Sequence, residues 1–284
     1  MEAIKGLIQN QRGLNSVKPD YIVGFILLAT AYFIIHSFFI EPNNIQVPYE
    51  HLTVKSSGKP IILVHLSDMH IKGWGELEED VISKVKETNP DFIVITGDFV
   101  NHTKRIPLAA KFIDTLSRIA PVYGVMGNND YTEVDTELLA DELTKAGLKL
   151  LFNESFLITL LNGQSLNLVG IDDLKSAILG MDSALPSIVL AHSPDMITQL
   201  KEYPVDVLLS GHTHGGQICL PLIGPVITHT KLGRRYASGL FEFNGTYLYV
   251  NRGLGMSVLP ARVLARPEIA VISVWPPVGK ENNC

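Results

Sequence analysis

The sequence predicts an α/β fold: a globular domain with two sheets, preceded by one transmembrane helix. Three observations carry this. The first half of the chain alternates short apolar runs with stretches of helical spacing, the second half is mostly short apolar runs, and residues 21–40 (YIVGFILLATAYFIIHSFFI) hold no formal charge. At ~1.5 Å per residue that last stretch reaches ~30 Å, the thickness of a bilayer's hydrocarbon core. A buried core helix rarely stays apolar on every face for this length. A cleaved signal peptide would need a small-residue cleavage site, which Ile40-Glu41-Pro42 does not provide. Residues 1–20 form an N-terminal segment, with Lys5, Arg12 and Lys18 before the anchor. After it come Glu41 and Glu50, then Lys55 and Lys59. This distribution favours an inside N-terminus and an outside globular domain. Residues 41–58 read as a linker, polar and with two prolines, ending in Ser56-Ser57-Gly58.

The globular domain spans 59–276, and 277–284 form a tail. PIILVHLSD (60–68) is a buried strand ending in polar residues. GELEEDVISKVKETNP (75–90) has helical spacing, with Ile82 and Val85 on one face and acids early. DFIVITGD is the next strand, and PLAAKFIDTLSRIA is a helix with Pro107 in its first turn. PVYGVMGNND is a third strand and loop; VDTELLADELTKAG is a third helix with Gly147 as its C-cap. Then SFLITLL, SLNLVGI, SIVLAHS, VDVLLSG, TYLYVN and IAVISV read as strands, with only DMITQLKEY helical among them. The βαβαβα half predicts parallel strands and a site outside their carboxyl ends. The later strands predict a second sheet packed on the first.

Composition narrows the function. Net charge is -6 and no Lys/Arg cluster stands out, which argues against nucleic acid as a partner. The two cysteines, Cys219 and Cys284, make neither a disulfide framework nor a zinc ribbon. The informative residues stand just after strands: Asp68 and His70; Gly97 and Asp98; Gly127, Asn128, Asn129 and Asp130; His192; His212 and His214. Singly, each has an ordinary alternative. Asp68 can cap a helix, Gly97-Asp98 and Asn128-Asn129-Asp130 can be turns, and His192 can be a satisfied core residue. Together they place carboxylate oxygen and imidazole nitrogen at successive strand ends, a ligand set for Mn²⁺, Fe or Zn²⁺. Asp68, His70, Asp98, Asn128, His192, His212 and His214 are too many for one tetrahedral ion. They suit two divalent ions ~3.5–4 Å apart sharing a carboxylate, an arrangement for phosphoryl hydrolysis.

DMH (68–70), GD (97–98), GNND (127–130), AHSPD (191–195) and GHTHGGQ (211–217) resemble, in order and spacing, the calcineurin-like metallophosphoesterases. The tail LYVNRGLG…PARVLARPEIAVISV is similar to that of a membrane-associated bacterial branch, which includes the anchored UDP-2,3-diacylglucosamine diphosphatases of lipid A synthesis. The resemblance implies a four-layer α-β-β-α sandwich of two mixed sheets with a dinuclear site at strand ends. It implies that Asp68, His70, Asp98 and His214 hold one metal, and Asp98, Asn128, His192 and His212 the other, Mn being the leading candidate. It also implies a single-pass protein of the bacterial inner membrane and a phosphorylated small-molecule or lipid substrate.

One position departs from the pattern. Where the family has a histidine that protonates the leaving oxygen, this chain has Asn129, which donates hydrogen bonds but no proton at neutral pH. A leaving phosphate, with a second pKa of ~6, does not need that proton, whereas an alkoxide does. The expected reaction is therefore phosphoanhydride cleavage, as in UDP-2,3-diacylglucosamine. The alternatives are a general extracytoplasmic phosphodiesterase and a metal-binding domain without activity. His102, close behind Asp98, is a candidate replacement for the missing imidazole, and His65 is expected in the interior. Arg234, Arg235 and Arg262 are candidates for binding non-scissile phosphate.

Overall fold

The computed structural model describes residues 19–54, 59–171 and 181–276. Lys5, Arg12, Lys18, Lys55, the Ser56-Ser57-Gly58 stretch, Cys284 and the 277–284 tail lie outside the described residues.

The apolar stretch forms helix α1 (Pro19–Ile35), which a π-turn (His36–Ile40) and a 3₁₀ turn (Glu41–Asn43) continue. Asp20–Asn43 is long and apolar enough to cross a membrane, and nearly all of it is exposed. Its end is tied to the domain. The Ser37 carbonyl accepts Arg262 N–H at 2.9 Å, and the buried Glu41 carboxylate accepts Ala265 N–H at 2.7 Å. Within the 41–58 stretch read as a linker, strand β1 (Tyr49–Thr53) pairs in parallel with β14 (Ala270–Trp275). Only Leu52 of β1 is buried, so this edge strand carries almost no apolar alternation by which to recognise it.

The expected βαβαβα run is present: β2 (Ile61–Leu66), α2 (Glu76–Thr88), β3 (Phe92–Thr96), α3 (Ile106–Ser117), β4 (Val122–Val125), a one-turn helix α4 (Asn128–Thr132), α5 (Thr136–Lys145) and β5 (Leu148–Leu150). Gly147, just past α5, takes the left-handed backbone (φ +101°) that a C-cap glycine supplies. On α2 the core face is Val81 and Val85, with Ile82 half-buried beside them. The first sheet runs β1-β14-β2-β3-β4-β5. β14 lies antiparallel to β2 here, not among the strands of the second sheet. All of it but Trp275 is buried, as in a strand covered on both faces.

The second sheet runs β12-β13-β9-β8-β7-β6. Its strands are β6 (Glu154–Thr159), β7 (Ser165–Gly170), β8 (Ser187–Leu190), β9 (Val207–Ser210), β12 (Gly239–Phe243) and β13 (Thr246–Val250). A two-stranded hairpin, β10 (Cys219–Leu220) and β11 (Gly224–Pro225), stands apart from both sheets. Both large sheets mix parallel and antiparallel pairs. Alternation along β2 places Ile61 and Leu63 between the sheets against Leu168, Leu190 and Leu209, and turns Val64 and Leu66 toward the helices.

The outer face of the second sheet buries Val169, Val189 and Leu208 against Ile197 and Leu200. Among the described residues no α-helix covers that face. The segment expected as a helix over 195–203 forms 3₁₀ turns, Pro194–Thr198 and Leu200–Glu202, and ends at Tyr203, which Pro204 holds in extended backbone.

Arg262, a candidate phosphate ligand on sequence, is instead wholly buried. Its guanidinium donates to the carbonyls of Arg252, Gly253, Gly255 and Ala265, clamping the loop that meets the end of the apolar helix. Burial lowers its pKa to about 10, so it stays charged at neutral pH. Removing it strands several buried acceptors. Arg262→Ala is expected to cost about 3 kcal/mol in denaturant unfolding; a loss within ~0.5 kcal/mol would show the clamp to be dispensable.

Candidate metal centre

The site begins with backbone strain. Asp68 (φ +46°), His70 (+42°), Asp98 (+57°), His212 (+68°) and His214 (+52°) all adopt the left-handed conformation. Each such non-glycine residue costs of order 1 kcal/mol and persists only where its surroundings over-determine it. Here the loops after β2 and β3 are zipped together: Asp68 N–H donates to Gly97 O at 3.0 Å, and His70 N–H to Asp98 O at 2.9 Å. A third loop closes on them, with Gly255 N–H donating to Asp68 O at 2.7 Å. Glycine is required at two close approaches. A Cβ on Gly211 would enter the Ser67 hydroxyl and the Asp68 carboxylate, and one on Gly127 would enter the Asp98 carboxylate.

The side chains converge. Two groups can each hold a metal ion: Asp68, His70 and His214, and Asp68, Asp98 and His192. His70 Nε2 lies 3.2 Å from His214 Nε2, and His214 Nε2 lies 3.4 Å from Asp68 Oδ1. Asp98 Oδ2 stands between the groups, 3.6 Å from His70 Nε2 and 3.5 Å from His192 Nε2. Asn128 Oδ1 and His212 Nδ1 each lie 3.0 Å from His192 Nε2. All seven residues singled out in the sequence thus meet at the strand ends. The geometric grouping puts Asp68 beside Asp98 as well as beside His70, which the resemblance did not imply.

The donor chemistry fits cations. His192 Nδ1–H donates to Thr96 O at 2.7 Å, so its Nε2 presents a lone pair to Asn128 Oδ1, His212 Nδ1 and Asp98 Oδ2. His70 Nδ1–H donates to Asn101 Oδ1 at 2.5 Å, so its Nε2 likewise presents a lone pair. Asp68 Oδ1 is buried with no hydrogen-bond partner. Electron pairs converging without donors are satisfied by a cation.

Electrostatics agree. Burial works to raise the Asp68 carboxyl, but His214, His192, His70 and the Ser67 hydroxyl together hold it well below the usual carboxylate range. Burial works to lower the His192 pKa, but Asp98 and Asp68 outweigh it and raise it, so these carboxylates favour a positive charge at its Nε2, whether a proton or a cation that displaces it. His214 falls to about 3, mainly through burial, and burial with the neighbouring His192 lowers His212. Both rings are therefore neutral at physiological pH. Burial, with the Asp98 charge beside it, pushes Asp130 up to about 7. Its oxygens collect the N–H groups of Asp98, Phe99 and Gly127, tying the loop after β4 to the loop after β3.

Sequence reasoning missed the relay behind Asp68. Ser67 Oγ–H donates to Asp68 Oδ2 at 2.6 Å, and Thr96 Oγ1–H donates to Ser67 Oγ at 2.8 Å. His65 Nε2–H must then donate to Thr96 Oγ1 at 2.9 Å, which fixes its tautomer. His65 is interior, as expected, but it closes a polar chain. Such partners typically tune metal affinity 10–100-fold. Ser67→Ala is expected to weaken divalent-metal binding by about tenfold in calorimetric titration; unchanged affinity would show that the relay does not bear on the site.

A cavity of about 380 Å³ opens over these residues, lined by Asp98, Asn128, His212 and His214 and also by Asn129, His102 and His229. His102 thus reaches the site, as its place in the sequence suggested. His229 was missed: nothing near it in sequence marks it, and only the return of the 226–229 loop brings its ring 6.2 Å from that of His212. Arg234 and Arg235 sit exposed on a 3₁₀ turn and are not among the lining residues.

Residues 61–216 match the family described as calcineurin-like phosphoesterase. The chain is 35% identical to the uncharacterized metallophosphoesterase YkuE of Bacillus subtilis, over 83% of this chain and 87% of that protein. It is 32% identical to phosphodiesterase YaeI of Escherichia coli, over 83% and 90%. It is 30% identical to UDP-2,3-diacylglucosamine pyrophosphatase LpxG of Chlamydia muridarum, over 74% and 82%.

Proposed function

The chain belongs to the calcineurin-like phosphoesterases, a family of hydrolases, and we propose that it is a dinuclear enzyme cleaving a phosphoanhydride in a membrane-associated substrate such as UDP-2,3-diacylglucosamine. Asp68, His70, Asp98 and His214 would hold one divalent ion and Asp98, Asn128, His192 and His212 the other, with Mn first and Fe or Zn as alternatives. Bound there, the ions supply an activated water and charge stabilisation at phosphorus. The observation that carries the reading is Asn129 on the wall of the cavity those ligands share. Its backbone N–H is held by Asp98 Oδ1 at 2.9 Å, and its side-chain Oδ1 accepts from Asn128 Nδ2 at 2.9 Å. The carboxamide orients phosphate and gives the leaving oxygen no proton, so the reaction suits a leaving group that is already a good anion.

The relative named as a UDP-2,3-diacylglucosamine pyrophosphatase supports the lipid substrate, and helix α1 supports a single-pass anchor through 21–40 in the bacterial inner membrane. A second reading, an extracytoplasmic phosphodiesterase, is favoured by the relative named as a phosphodiesterase and by the basic residues that precede the anchor.

The test uses the full chain in detergent with Mn²⁺, on UDP-2,3-diacylglucosamine and on bis-p-nitrophenyl phosphate. Cleavage of the anhydride supports the first reading. Cleavage of the activated diester alone favours the second. Stoichiometric metal binding with neither cleavage overturns both and leaves a metal-binding domain without activity.

A further inference from the structure

Beside the catalytic cavity lies a second one, of about 400 Å³, and the two share His214, His229, Ser257 and Val258 as walls. The second is apolar in character: Ile218, Val226, Ile227, Val258 and Leu259 line it. Exposed apolar side chains stand on Val258 of its wall and on the hairpin and segment that flank it. Leu222, on the turn of the β10–β11 hairpin, is fully exposed, Val258 is 95% exposed and Leu264 62%. Residues 217–228 and 253–261 contain no charged side chain. Surfaces of this kind on a water-soluble face are uncommon and mark a contact with apolar matter.

The neighbourhood says what that matter is. Ile218 bridges to Val263, and Cys219 N–H donates to Val263 O at 2.8 Å. The preceding residue, Arg262, donates its N–H to the Ser37 carbonyl at the end of the apolar helix, and Ala265 N–H reaches Glu41. Hairpin, 258–264 segment and the end of the apolar helix are therefore joined by hydrogen bonds, and the exposed apolar side chains lie on the segments next to that end.

We infer that this face rests on the membrane and that the apolar cavity takes an acyl chain of a bilayer lipid, with the lipid's phosphate end directed past His214 and His229 into the catalytic cavity. The inference rests on the proposed reading of helix α1 as an anchor. It assigns the selection of lipid-linked substrates to the hairpin and the 257–259 loop, which hold no metal ligand. Apolar side chains at an interface bury into the acyl boundary, and each contributes on the scale of one transferred aliphatic group.

The decisive experiment places a tryptophan at the rim, Val258→Trp, in the full chain reconstituted into nanodiscs whose lipids are brominated along their acyl chains. Quenching beyond that of the parent chain, which has Trp74 and Trp275 alone, is expected. No added quenching overturns the inference. So does burial of the new tryptophan against a second copy of the chain, seen as a cross-linked dimer. This readout needs no catalysis, so it stands even if the enzyme proves to be a diesterase on soluble substrates. In the second arm, Ile227→Glu is expected to raise KM for UDP-2,3-diacylglucosamine about tenfold or more while kcat/KM on bis-p-nitrophenyl phosphate is unchanged. Equal losses on both substrates overturn the acyl-chain assignment of the cavity.

Discussion

Asp98→Asn is expected to lower hydrolysis of every substrate by about 10³-fold or more. Three consequences of one carboxylate are lost together. Its Oδ2 lies 3.5–3.6 Å from a ring nitrogen of both His70 and His192, so it stands between the two halves of the site. Its negative charge is first among the influences that draw positive charge to the His192 ring against burial. Its Oδ1 holds the Asn129 N–H that positions the loop after β4. Asparagine is the informative substitution because it keeps the shape and tolerates the left-handed backbone at φ +57°, where alanine would add strain. Metal analysis is expected to show at least one ion fewer per chain than the parent. The thermal stabilisation that saturating Mn²⁺ gives the parent, about 2.7 kcal/mol at a hundredfold excess over Kd, is expected to shrink or vanish. The metal-free chain should not be weakened to match, since removing this charge relieves Asp130, whose carboxyl it helps to push up to about 7. Full activity, or an undiminished metal-induced shift, would remove Asp98 from the centre of the site.

The strand ends were legible because chemistry and topology coincide there. Parallel strands deliver their C-terminal loops to one edge, so Asp68, Asp98, Asn128, His192 and His212 could be placed together without knowing a single distance. What escaped is whatever depends on contacts remote in sequence. β1 has one buried side chain and exists because β14 offers it an edge. β14 returns to the first sheet after its neighbours in sequence have built the second. Arg262 looked like a phosphate ligand because a surface arginine and a buried one are spelled alike; only the carbonyls of 252–265 decide between them. His229 belongs to the same class, since its ring reaches the cavity from a loop with no recognisable motif. Even the backbone strain in the site was hidden, because nothing in the letters of DMH, GD or GHTH announces five left-handed residues.

Asn129→His carries the second large effect, and it runs upward. Asn129 is half-buried at the cavity wall, facing the space enclosed by His102, His212 and His229. An imidazole there can give a proton to a departing alkoxide, a contribution of ~10²–10⁴-fold in general acid catalysis. On an alkyl phosphodiester, kcat/KM is therefore expected to rise about 10²-fold. On a phosphoanhydride or on bis-p-nitrophenyl phosphate it should scarcely change, because those leaving groups depart as stable anions. The gain should be largest below the imidazole's ordinary pKa of ~6.5 and fade as pH rises above it and the proton is lost. Equal gains on all substrates would mean that the substitution improves positioning and not protonation. No gain on the alkyl diester, together with a loss in His229→Gln or His102→Gln on that same substrate, would mean that a proton donor already stands on another wall of the cavity. In that case the asparagine has not narrowed the enzyme to anhydrides, and the diesterase reading takes precedence.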